Sequence, residues 1–463
     1  MALIKSISGI RGTIGGAASE GLNPQNIVQF TAGFAAFTKA HTGINRPTVV
    51  VGRDARISGL MVRNIVVGTL QSMGCDVVDI DLATTPTTEM AVRFYGAQGG
   101  IILTASHNPK HWNALKLLTD TGEFLSAEQG AQVLALGESG TFSFAPVEEL
   151  GSVRRQDALP RHIEEILALQ EVDVPAIRAA RLRVAYDAIN SVGAVALPPL
   201  LKALGVEETI PLFAEPTGQF AHNPEPLPQH LVDLCQAVRT QGAHVGFSVD
   251  PDVDRLAIID ERGEPFGEEY TLVSVADYLL GLHGGGNTVS NMSSTRALRD
   301  VTERHGGSYS PAAVGEVNVV HEMHRTGALI GGEGNGGVIF PKLHPGRDAL
   351  VGIALFLSHL AKAGTTVSEL RDRYPRYEMC KERLDLPAGA DPDAVLAQLA
   401  RREAELGHRP NTIDGLKIDF PTAWVQVRKS NTEPIMRIYT EAPTAAEAAQ
   451  LAARYKQALT LLL

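Results

Sequence analysis

The chain has 463 residues, of which 44% are hydrophobic and 20% charged, and its formal net charge is −11. At roughly 150 residues per domain this length predicts about three domains, or four if single domains are nearer about 100 residues. The composition is that of a globular protein, and the absence of a long run of Lys or Arg argues against a nucleic-acid partner. A negative protein can still hold an anionic small molecule in a locally positive site.

The cysteines and the apolar runs bear on the compartment. Cys75, Cys235 and Cys380 are far apart and have no CxxC spacing, so neither a disulfide framework nor a zinc ribbon is expected. The longest apolar run, residues 349–357, is too short to span a bilayer, and the N-terminus lacks the cleavage pattern of a signal peptide. We therefore expect a cytoplasmic protein with no membrane partner.

Short apolar runs alternate with helix-length amphipathic stretches. Strand-like runs at 48–54, 75–83 and 99–106 are separated by helical patterns at 58–73 and 87–96. This alternation predicts βαβ units and a largely parallel sheet. The same rhythm restarts twice further along the chain, so three α/β segments follow one another. Turn-rich stretches near 138–153, 261–267 and 375–392 are the predicted boundary loops.

The C-terminal segment has a different pattern. A helix is predicted at 393–406, extended runs at 415–428 and 434–441, and a second helix at 444–462, which indicates a small α+β domain. The predicted fold class is therefore α/β, with three consecutive mixed α/β domains plus a smaller C-terminal α+β domain around a central cleft. The predicted domains are 1–150, 151–257, 258–376 and 377–463.

The first polar cluster follows the apolar run at 99–103 and reads T-A-S-H-N-P. Ligands of α/β proteins bind where loops leave strand ends, so Ser106 is a candidate nucleophile or phosphoryl carrier. His107 or Lys116 would then donate or accept the proton. The alternative is a Ser/Asn/Pro turn without chemistry.

The second cluster places Asp250, Asp252 and Asp254 between two apolar runs. Three alternating carboxylates offer the oxygen ligands that Mg²⁺ prefers. Their mutual repulsion favours a bound cation, and Arg255 would offset part of that repulsion. A solvated acidic turn is the alternative. A second D-P-D, at residues 391–393, precedes a helical pattern and predicts a helix N-terminus instead.

The third cluster, G-E-G-N-G-G at 332–337, satisfies the spacing of a dinucleotide-binding loop. That motif needs a helix directly after it, whereas V-I-F-P reads as a strand closed by Pro341, so dinucleotide binding is rejected. Glu333 and Asn335 remain as hydrogen-bonding side chains for a polyhydroxylated ligand. A glycine-rich hairpin is the alternative.

The fourth cluster lies between two extended runs near the C-terminus. It contains cationic, hydroxyl and amide side chains suited to a phosphate, with a plain turn as the alternative. The candidate phosphate-binding residues are Arg428, Ser430, Asn431, Thr432 and Arg437.

In this order, the four clusters resemble the phosphoserine, metal, sugar and phosphate loops of the α-D-phosphohexomutase superfamily, and the similarity covers essentially the whole chain. The resemblance implies that Ser106 is carried as phosphoserine and donates its phosphoryl group to a hexose phosphate. The enzyme-bound 1,6-bisphosphate then turns over, and Ser106 takes back the phosphoryl group from the other end. The implied cofactors are Mg²⁺ and a hexose 1,6-bisphosphate as activator.

The resemblance also implies a role for each candidate residue. Mg²⁺ would be held by Asp250, Asp252, Asp254 and the phosphate of Ser106. The sugar would be bound by Glu333, Asn335, Gly336 and Arg255, and the phosphate that is not transferred by Arg428, Ser430, Asn431, Thr432 and Arg437. Acid/base or charge work would fall to Lys116, His107 and Arg11.

The resemblance leaves alternatives open. Many members have His at the position of Gly337, so proton transfer here would fall to Lys116, His107 or His344. The expected substrate is glucosamine phosphate, with mannose and glucose phosphates as alternatives. A Mg²⁺-dependent sugar phosphatase and a non-catalytic sugar-phosphate-binding protein are more remote ones. The chain is expected to act as a monomer or homodimer.

Overall fold

The computed structural model describes residues 3–6, 9–17, 20–387, 389–430 and 434–463. The strands, in chain order, are β1 (Leu3–Ser6), β2 (Gly9–Thr13), β3 (Thr48–Arg53), β4 (Asp76–Leu82), β5 (Gly99–Leu103), β6 (Trp112–Leu118), β7 (Val153–Arg155), β8 (Arg183–Asp187), β9 (Glu208–Leu212), β10 (Val245–Val249), β11 (Leu256–Ile259), β12 (Asn287–Asn291), β13 (Ser308–Ala312), β14 (Ile330–Glu333), β15 (Gly337–Ile339), β16 (Glu378–Asp385), β17 (Leu416–Asp419), β18 (Trp424–Lys429) and β19 (Ile435–Ala442).

The α-helices, in chain order, are α1 (Pro24–Thr42), α2 (Gly59–Ser72), α3 (Thr85–Phe94), α4 (Ala127–Ser139), α5 (Leu159–Leu167), α6 (Val174–Ala179), α7 (Gly193–Leu204), α8 (Val232–Gln241), α9 (Glu268–His283), α10 (Ala297–Arg304), α11 (Glu316–Thr326), α12 (Ala349–Ala363), α13 (Val367–Arg371), α14 (Pro392–Glu405) and α15 (Ala445–Thr460). Short 3₁₀ turns lie at Val147–Glu149 and Pro228–His230. Within the described part of the chain, no helix has the length and apolar character needed to cross a membrane.

The chain forms two compact units. The first contains Met1–Tyr278 and Asn335–Arg371, and the second contains Leu279–Gly334 and Asp372–Leu463. Mixed α/β sheets and an antiparallel C-terminal sheet confirm the predicted fold class. The domain boundaries at 150, 257 and 376 and the central cleft stay predictions.

The first sheet has the strand order β1-β2-β6-β5-β3-β4-β7. Strand β3 pairs in parallel with β4 and β5, as the alternation of apolar runs predicts, but β6 is antiparallel to both β2 and β5. Its apolar core includes the buried strand residues Val49, Val51, Ile101 and Leu103. Because β5 and β6 form an antiparallel pair, the polar loop between them is held at both ends, and Lys116 returns opposite Ile102.

The second sheet, also in the first unit, has the order β11-β10-β8-β9. Strand β10 is parallel to β8 and antiparallel to β11. All five residues of β10 and all four of β11 are buried, so the aspartates at 250–254 lie on a loop between two core strands. This strand-loop-strand arrangement matches that of the Ser106 loop in the first sheet.

In the second unit, β12 pairs in parallel with β13 and β14, while β16-β19-β18-β17 form an antiparallel sheet. Helix α14 begins as the second D-P-D predicts, since the Asp391 side chain accepts hydrogen bonds from the backbone N–H groups of Asp393 and Ala394. Strand β16 falls within 375–392, which we expected to be a loop at a domain boundary; the loop is wrong, and the boundary stays a prediction. The side chains of β16 are mostly charged and exposed because it lies at a sheet edge, so no apolar run marks it.

Candidate active site

Ser106 lies at the start of the β5–β6 loop in a left-handed backbone conformation, with φ of +48°. Non-glycine residues adopt this conformation at a cost, which surrounding contacts must offset. Here the Ser106 N–H donates to Thr104 Oγ1 over 2.9 Å, and the Thr104 hydroxyl donates to Asp54 Oδ2 over 2.7 Å. These two bonds fix the direction of the Ser106 side chain.

Arg56 supports the β5–β6 loop through hydrogen bonds to its backbone carbonyls. Its guanidinium donates to the carbonyl of Ser106, to those of Asn108 and Pro109 at 2.8 Å each, and to that of Trp112 at 3.1 Å. The Arg56 side chain is fully buried, and few other side chains can satisfy four carbonyls at once, because the guanidinium carries five donors in a rigid plane. Arg56 is therefore the main support of the loop.

The aspartate loop presents three carboxylates to one point. Asp250, Asp252 and Asp254 are completely buried, and one ligand atom from each lies within 4.8 Å of the others. The loop turns through Val253, whose φ is +63°. The backbone N–H groups of Asp254 and Arg255 both donate to Asp250 Oδ1 over 3.2 Å, which leaves Asp250 Oδ2 for another partner.

The two loops meet through side-chain hydrogen bonds. Ser106 Oγ donates to Asp250 Oδ2 over 2.8 Å. Lys116 Nζ lies 2.7 Å from Asp252 Oδ2 and 3.7 Å from Asp254 Oδ2. The structure thus brings together five of the residues that the sequence singles out, although their roles remain predictions.

Helix α3 begins beside Asp252. The Thr85 N–H donates to the Asp252 carbonyl over 2.9 Å, and the Thr85 hydroxyl donates to Asp252 Oδ2 over 2.7 Å. The positive end of a helix dipole stabilises a nearby anion. Thr85 was missed by the sequence analysis, because a Thr in a T-T-P-T-T run reads only as a helix start.

The charge states of the aspartates differ. Burial, followed by repulsion from Asp252 and Asp254, raises the pKa of Asp250 well above its usual value. Burial also acts to raise the pKa of Asp252, but the charge and hydrogen bond of Lys116 outweigh it and leave this pKa below its usual range. Burial lowers the pKa of Lys116 while the two carboxylates raise it more, so the net shift is upward and Lys116 is an ammonium ion.

His107 is held as a neutral imidazole. Burial, followed by the positive charge of Arg255, lowers the pKa of His107 to about 2. Its Nδ1 lies 3.3 Å from Ser106 Oγ. Arg11, on β2 opposite Ala114, also contributes to this lowering, and burial lowers the pKa of Arg11 itself. At neutral pH His107 is therefore uncharged, and with a pKa this low its ring can take part in hydrogen bonds but does not hold a transferred proton.

Two aspartate oxygens in the cluster accept no hydrogen bond from the described residues, namely Asp252 Oδ1 and Asp254 Oδ1. Buried carboxylate oxygens are normally satisfied. Asp254 is otherwise flanked by cations, since Arg347 Nη2 is 2.7 Å from its Oδ2 and Arg255 Nε is 3.9 Å from its Oδ1. The acidic triad therefore has both the ligands and the vacant lone pairs for a metal ion.

The His344 ring nitrogens face two carboxylates rather than Ser106. Nδ1 of His344 is 3.3 Å from Glu89 Oε2, and its Nε2 is 3.3 Å from Asp348 Oδ2. Burial opposes protonation, but the two carboxylates raise the pKa of His344 to about 9. Both ring nitrogens of His344 thus face carboxylates, whereas His107 has its Nδ1 3.3 Å from Ser106 Oγ.

Arg56 and Arg347 carry a sequence signal that was not used. A G-R-D tripeptide occurs at residues 52–54 and 346–348; Arg347 lies in the second, and Arg56 lies two residues after the first. The first tripeptide supports the Ser106 loop through Asp54, and the second supports the aspartate loop through Arg347. A repeated tripeptide in two separate α/β segments could have marked both arginines.

Glu333, at the end of β14, is 5% exposed and already engaged within the second unit. Its Oε1 accepts hydrogen bonds from Asn291 Nδ2 at 2.8 Å and from the Gly315 N–H at 3.1 Å. These bonds fix the carboxylate orientation. Asn291 and the Gly315 N–H were not identified from the sequence.

The other residues of the predicted sugar loop have structural tasks in the first unit. The Asn335 side chain accepts a 3.1 Å hydrogen bond from the Gly337 N–H. Gly336 has φ of +81°, and a Cβ there would be 2.2 Å from the carbonyl oxygen of Leu256. Gly336 is therefore required by the turn and by close backbone approach, while a sugar contact stays a prediction.

The predicted phosphate loop connects β18 and β19. Arg428 and Arg437 are register partners across these strands, and Arg437 is also the partner of Arg383 on β16. Like charges directly opposite one another in a sheet are destabilising, so this row of three arginines is suited to an anion. Arg383 was not identified from the sequence, because only the register shows its position.

Ser430 and Arg428 of the predicted phosphate loop contact neighbouring residues. The Ser430 N–H donates to the Ile435 carbonyl over 3.0 Å. Arg428 Nε lies 3.6 Å from Asp414 Oδ2. Asn431 and Thr432, also predicted to bind phosphate, lie outside the described residues.

Four family models match the chain in order. They describe phosphoglucomutase/phosphomannomutase α/β/α domain I over residues 3–143, domain II over 160–263, domain III over 267–377 and the C-terminal domain over 383–458. Together these matches cover most of the sequence.

Individual proteins are similar over nearly the full length. The phosphoglucomutase/phosphomannomutase of Thermococcus kodakarensis is 38% identical over 434 residues, covering 93% of this chain and 94% of that protein. A Methanopyrus kandleri protein named "Probable phosphoglucosamine mutase" is 33% identical over 446 residues, covering 96% and 95%. The crystal structure of a phosphoglucomutase/phosphomannomutase family protein from Burkholderia thailandensis superposes with a TM-score of 0.84 at 27% identity, covering 98% of this chain and 96% of that one.

Proposed function

The chain belongs to the phosphoglucomutase/phosphomannomutase family and is a phosphohexomutase, and from this premise we propose that it interconverts glucosamine 6-phosphate and glucosamine 1-phosphate through a phosphorylated Ser106. The family membership confirms the predicted resemblance to the α-D-phosphohexomutase superfamily. The proposal goes further in assigning the phosphoryl carrier, the supporting residues and the sugar.

The observation that carries the proposal is the position of Ser106 Oγ. It lies 2.8 Å from Asp250 Oδ2, beside the other two aspartates and the Lys116 ammonium group. A hydroxyl in such a setting has the surroundings that phosphoryl transfer needs, because the reaction depends mainly on positioning and on neutralising charge.

In the first step, the free hydroxyl of a hexose monophosphate attacks the phosphorus of phospho-Ser106. The bond from phosphorus to Ser106 Oγ breaks, the bond to the sugar oxygen forms, and the hydroxyl proton passes to an acceptor at the site. The second step is the reverse at the other end of the 1,6-bisphosphate, so that phospho-Ser106 is regenerated. His107 has Nδ1 at 3.3 Å from Ser106 Oγ and is within reach of the reacting oxygen, but its lowered pKa makes it a weak base that would pass a proton on rather than hold it.

The triad fits a magnesium ion. Asp252 Oδ1 and Asp254 Oδ1 accept no hydrogen bond from described residues, and carboxylate and phosphate oxygens are the ligands Mg²⁺ prefers. Asp250, Asp252, Asp254 and the Ser106 phosphate would hold it, and it would neutralise charge on the transferring group. Lys116, held as an ammonium ion by Asp252, adds positive charge at the same place.

Other residues of the chain would hold the rest of the substrate. Arg428 and Arg437, which are opposite each other in the sheet, would bind the phosphate that is not transferred. Glu333 and Asn335 would contact sugar hydroxyls. A carboxylate also suits the ammonium group of glucosamine.

The second candidate substrate pair is mannose or glucose phosphate. It is favoured by the 38% identity to the T. kodakarensis phosphoglucomutase/phosphomannomutase, whereas the glucosamine assignment is favoured by relatives at 31–33% that are named for phosphoglucosamine. Coupled assays with the 1-phosphates of glucosamine, mannose and glucose, each primed with the matching 1,6-bisphosphate, would separate them. The expected result is the highest kcat/KM for glucosamine 1-phosphate.

The carrier is tested with Ser106→Ala, with Ser139→Ala as the control because Ser139 is exposed at the end of α4. Ser106→Ala should take up no label from ³²P-labelled bisphosphate and should show no turnover, while Ser139→Ala behaves as the wild type. Undiminished turnover by Ser106→Ala contradicts the mechanism. Release of free phosphate at the rate of isomer formation would favour a phosphatase instead.

A further inference from the structure

The Arg347 side chain lies beside the aspartate loop, in space that a side chain at residue 337 would fill if that residue were not glycine. Its guanidinium donates to Asp254 Oδ2 over 2.7 Å, and its side chain is only 10% exposed. A Cβ placed on Gly337 would lie 2.3 Å from Arg347 Cδ and 3.0 Å from its Cγ. Any residue other than glycine at 337 would therefore push the Arg347 side chain away from Asp254.

The backbone around Arg347 is fixed independently. The Asp348 N–H donates to the Val338 carbonyl over 2.8 Å, and the Asp348 side chain caps α12. The next residue, Ala349, donates its N–H to the Val253 carbonyl in the aspartate loop over 3.2 Å. The loop that carries Arg347 is thus bound to both β15 and the aspartate loop. These bonds fix the backbone position from which the Arg347 side chain extends.

The contact with Arg347 makes the two carboxylate oxygens of Asp254 differ in their hydrogen bonding. Oδ2 accepts the hydrogen bond from Arg347, and Oδ1 accepts none from the described residues. Of the cations near Asp254, Lys116 is 3.7 Å and Arg255 3.9 Å away, so Arg347 is the one at hydrogen-bond distance. A carboxylate held by one oxygen presents the other in a single direction, which is how residues behind a metal ligand orient it.

We propose that Arg347 is a positioning residue: its guanidinium orients the Asp254 carboxylate for a divalent cation, and the absence of a side chain at Gly337 is what admits it. The inference rests on the proposed function for the presence of the cation. The inference goes beyond the proposed function because it assigns a task to Arg347 and to Gly337, which have no role in that function.

The test measures Mg²⁺ binding to the unphosphorylated protein without sugar, by calorimetry. Gly337→Ala keeps every charged group but displaces Arg347, and it should weaken Mg²⁺ binding by roughly tenfold or more. Gly68→Ala is the matched control, because a Cβ there meets nothing within 4 Å, and it should bind as the wild type does. Melting temperatures establish that each variant is folded.

A second variant separates orientation from charge. Arg347→Lys keeps the positive charge but lacks the planar guanidinium, so it should also weaken binding. Because Gly337→Ala acts by moving Arg347, the double variant should bind no more weakly than the weaker single one, rather than showing the sum of the two losses.

The outcomes are distinct from those of the mutase proposal. Wild-type affinity in folded Gly337→Ala or in Arg347→Lys, or additive losses in the double variant, would overturn the positioning role. If Gly337→Ala does not fold, Arg347→Lys alone decides the question. Absence of Mg²⁺ binding by the wild type would instead remove the metal from the proposed function, and turnover by Ser106→Ala would remove the carrier.

Discussion

Ser106 Oγ donates a 2.8 Å hydrogen bond to Asp250 Oδ2, across 144 positions of sequence. Each residue lies on a loop between two antiparallel strands, β5–β6 for the serine and β10–β11 for the aspartate. The hydroxyl is therefore held by two separate sheets of the same unit. This contact places the proposed phosphoryl carrier beside the proposed metal ligands before any ligand binds.

Asp252→Asn should lower kcat by roughly 100-fold or more while the protein remains folded, because it removes a charge facing the transferring group and weakens the pairing with Lys116. The control is Asp391→Asn, the same change in the second D-P-D, where Asn caps a helix as well as Asp does. Steady-state assays over a range of Mg²⁺ concentrations measure the effect. Equal activity of the two variants would contradict the metal role of the triad.

Arg56→Met should destabilise the protein by about 3–5 kcal/mol, because it leaves the Asp54 carboxylate buried without its partner. Four carbonyls of the Ser106 loop also lose their donor. The measurement is urea unfolding followed by circular dichroism. Arg46→Met, which breaks the exposed pair with Asp76, is the control and should change stability little; similar losses in both variants would refute the special role of Arg56.

Arg437→Gln should raise KM for the 6-phosphate and for the 1-phosphate alike, by roughly tenfold or more, since a charged hydrogen bond is worth about 1.5–3 kcal/mol. Both substrates should be affected because the phosphate held there is the one not being transferred. Arg325→Gln, which removes an exposed arginine paired with Glu322 in the same unit, should leave both KM values unchanged. An effect confined to one substrate would show that Arg437 serves one binding orientation only.

The stability that His344 contributes should depend on pH. Glu89 and Asp348 face its ring nitrogens, and the ring of His162 packs edge-on against it at 6.2 Å. The carboxylates raise the pKa of His344 from 6.5 to about 9 in the folded state. A raised pKa contributes stability that is fully present below pH 6.5 and is lost as the pH rises through about 9.

Urea unfolding of the wild type and of His344→Gln at pH 6 and at pH 9.5 measures this contribution. The difference in unfolding free energy between the two proteins should shrink by about 3 kcal/mol between these pH values. Comparison with the variant at each pH cancels the titration of other groups. A difference that stays constant would mean that His344 is not protonated in the fold.

The loops that carry chemistry were visible in the sequence because each lies between apolar runs. Ser106 follows a five-residue buried strand, and the three aspartates lie between two more. Charged side chains are rarely buried within core strands, so a polar cluster between two apolar runs predicts the loop that joins them. The edge strand β16 lacked this contrast, since its side chains are largely charged and exposed, and it was predicted as a loop.

The sequence by itself thus determined the α/β class and the positions of the Ser106 and aspartate loops, because short-range alternation of apolar and polar residues encodes strands and their ends. The family followed from the resemblance of the four loops to those of known members. The tertiary structure alone decided which distant groups meet. Arg347 reaches Asp254 only because a loop remote in sequence folds over Gly337, and Arg383 joins Arg437 and Arg428 only through strand register. It also decided the charge states, since burial and the surrounding cations make His107 neutral and Lys116 charged, and neither effect exists until the chain is folded.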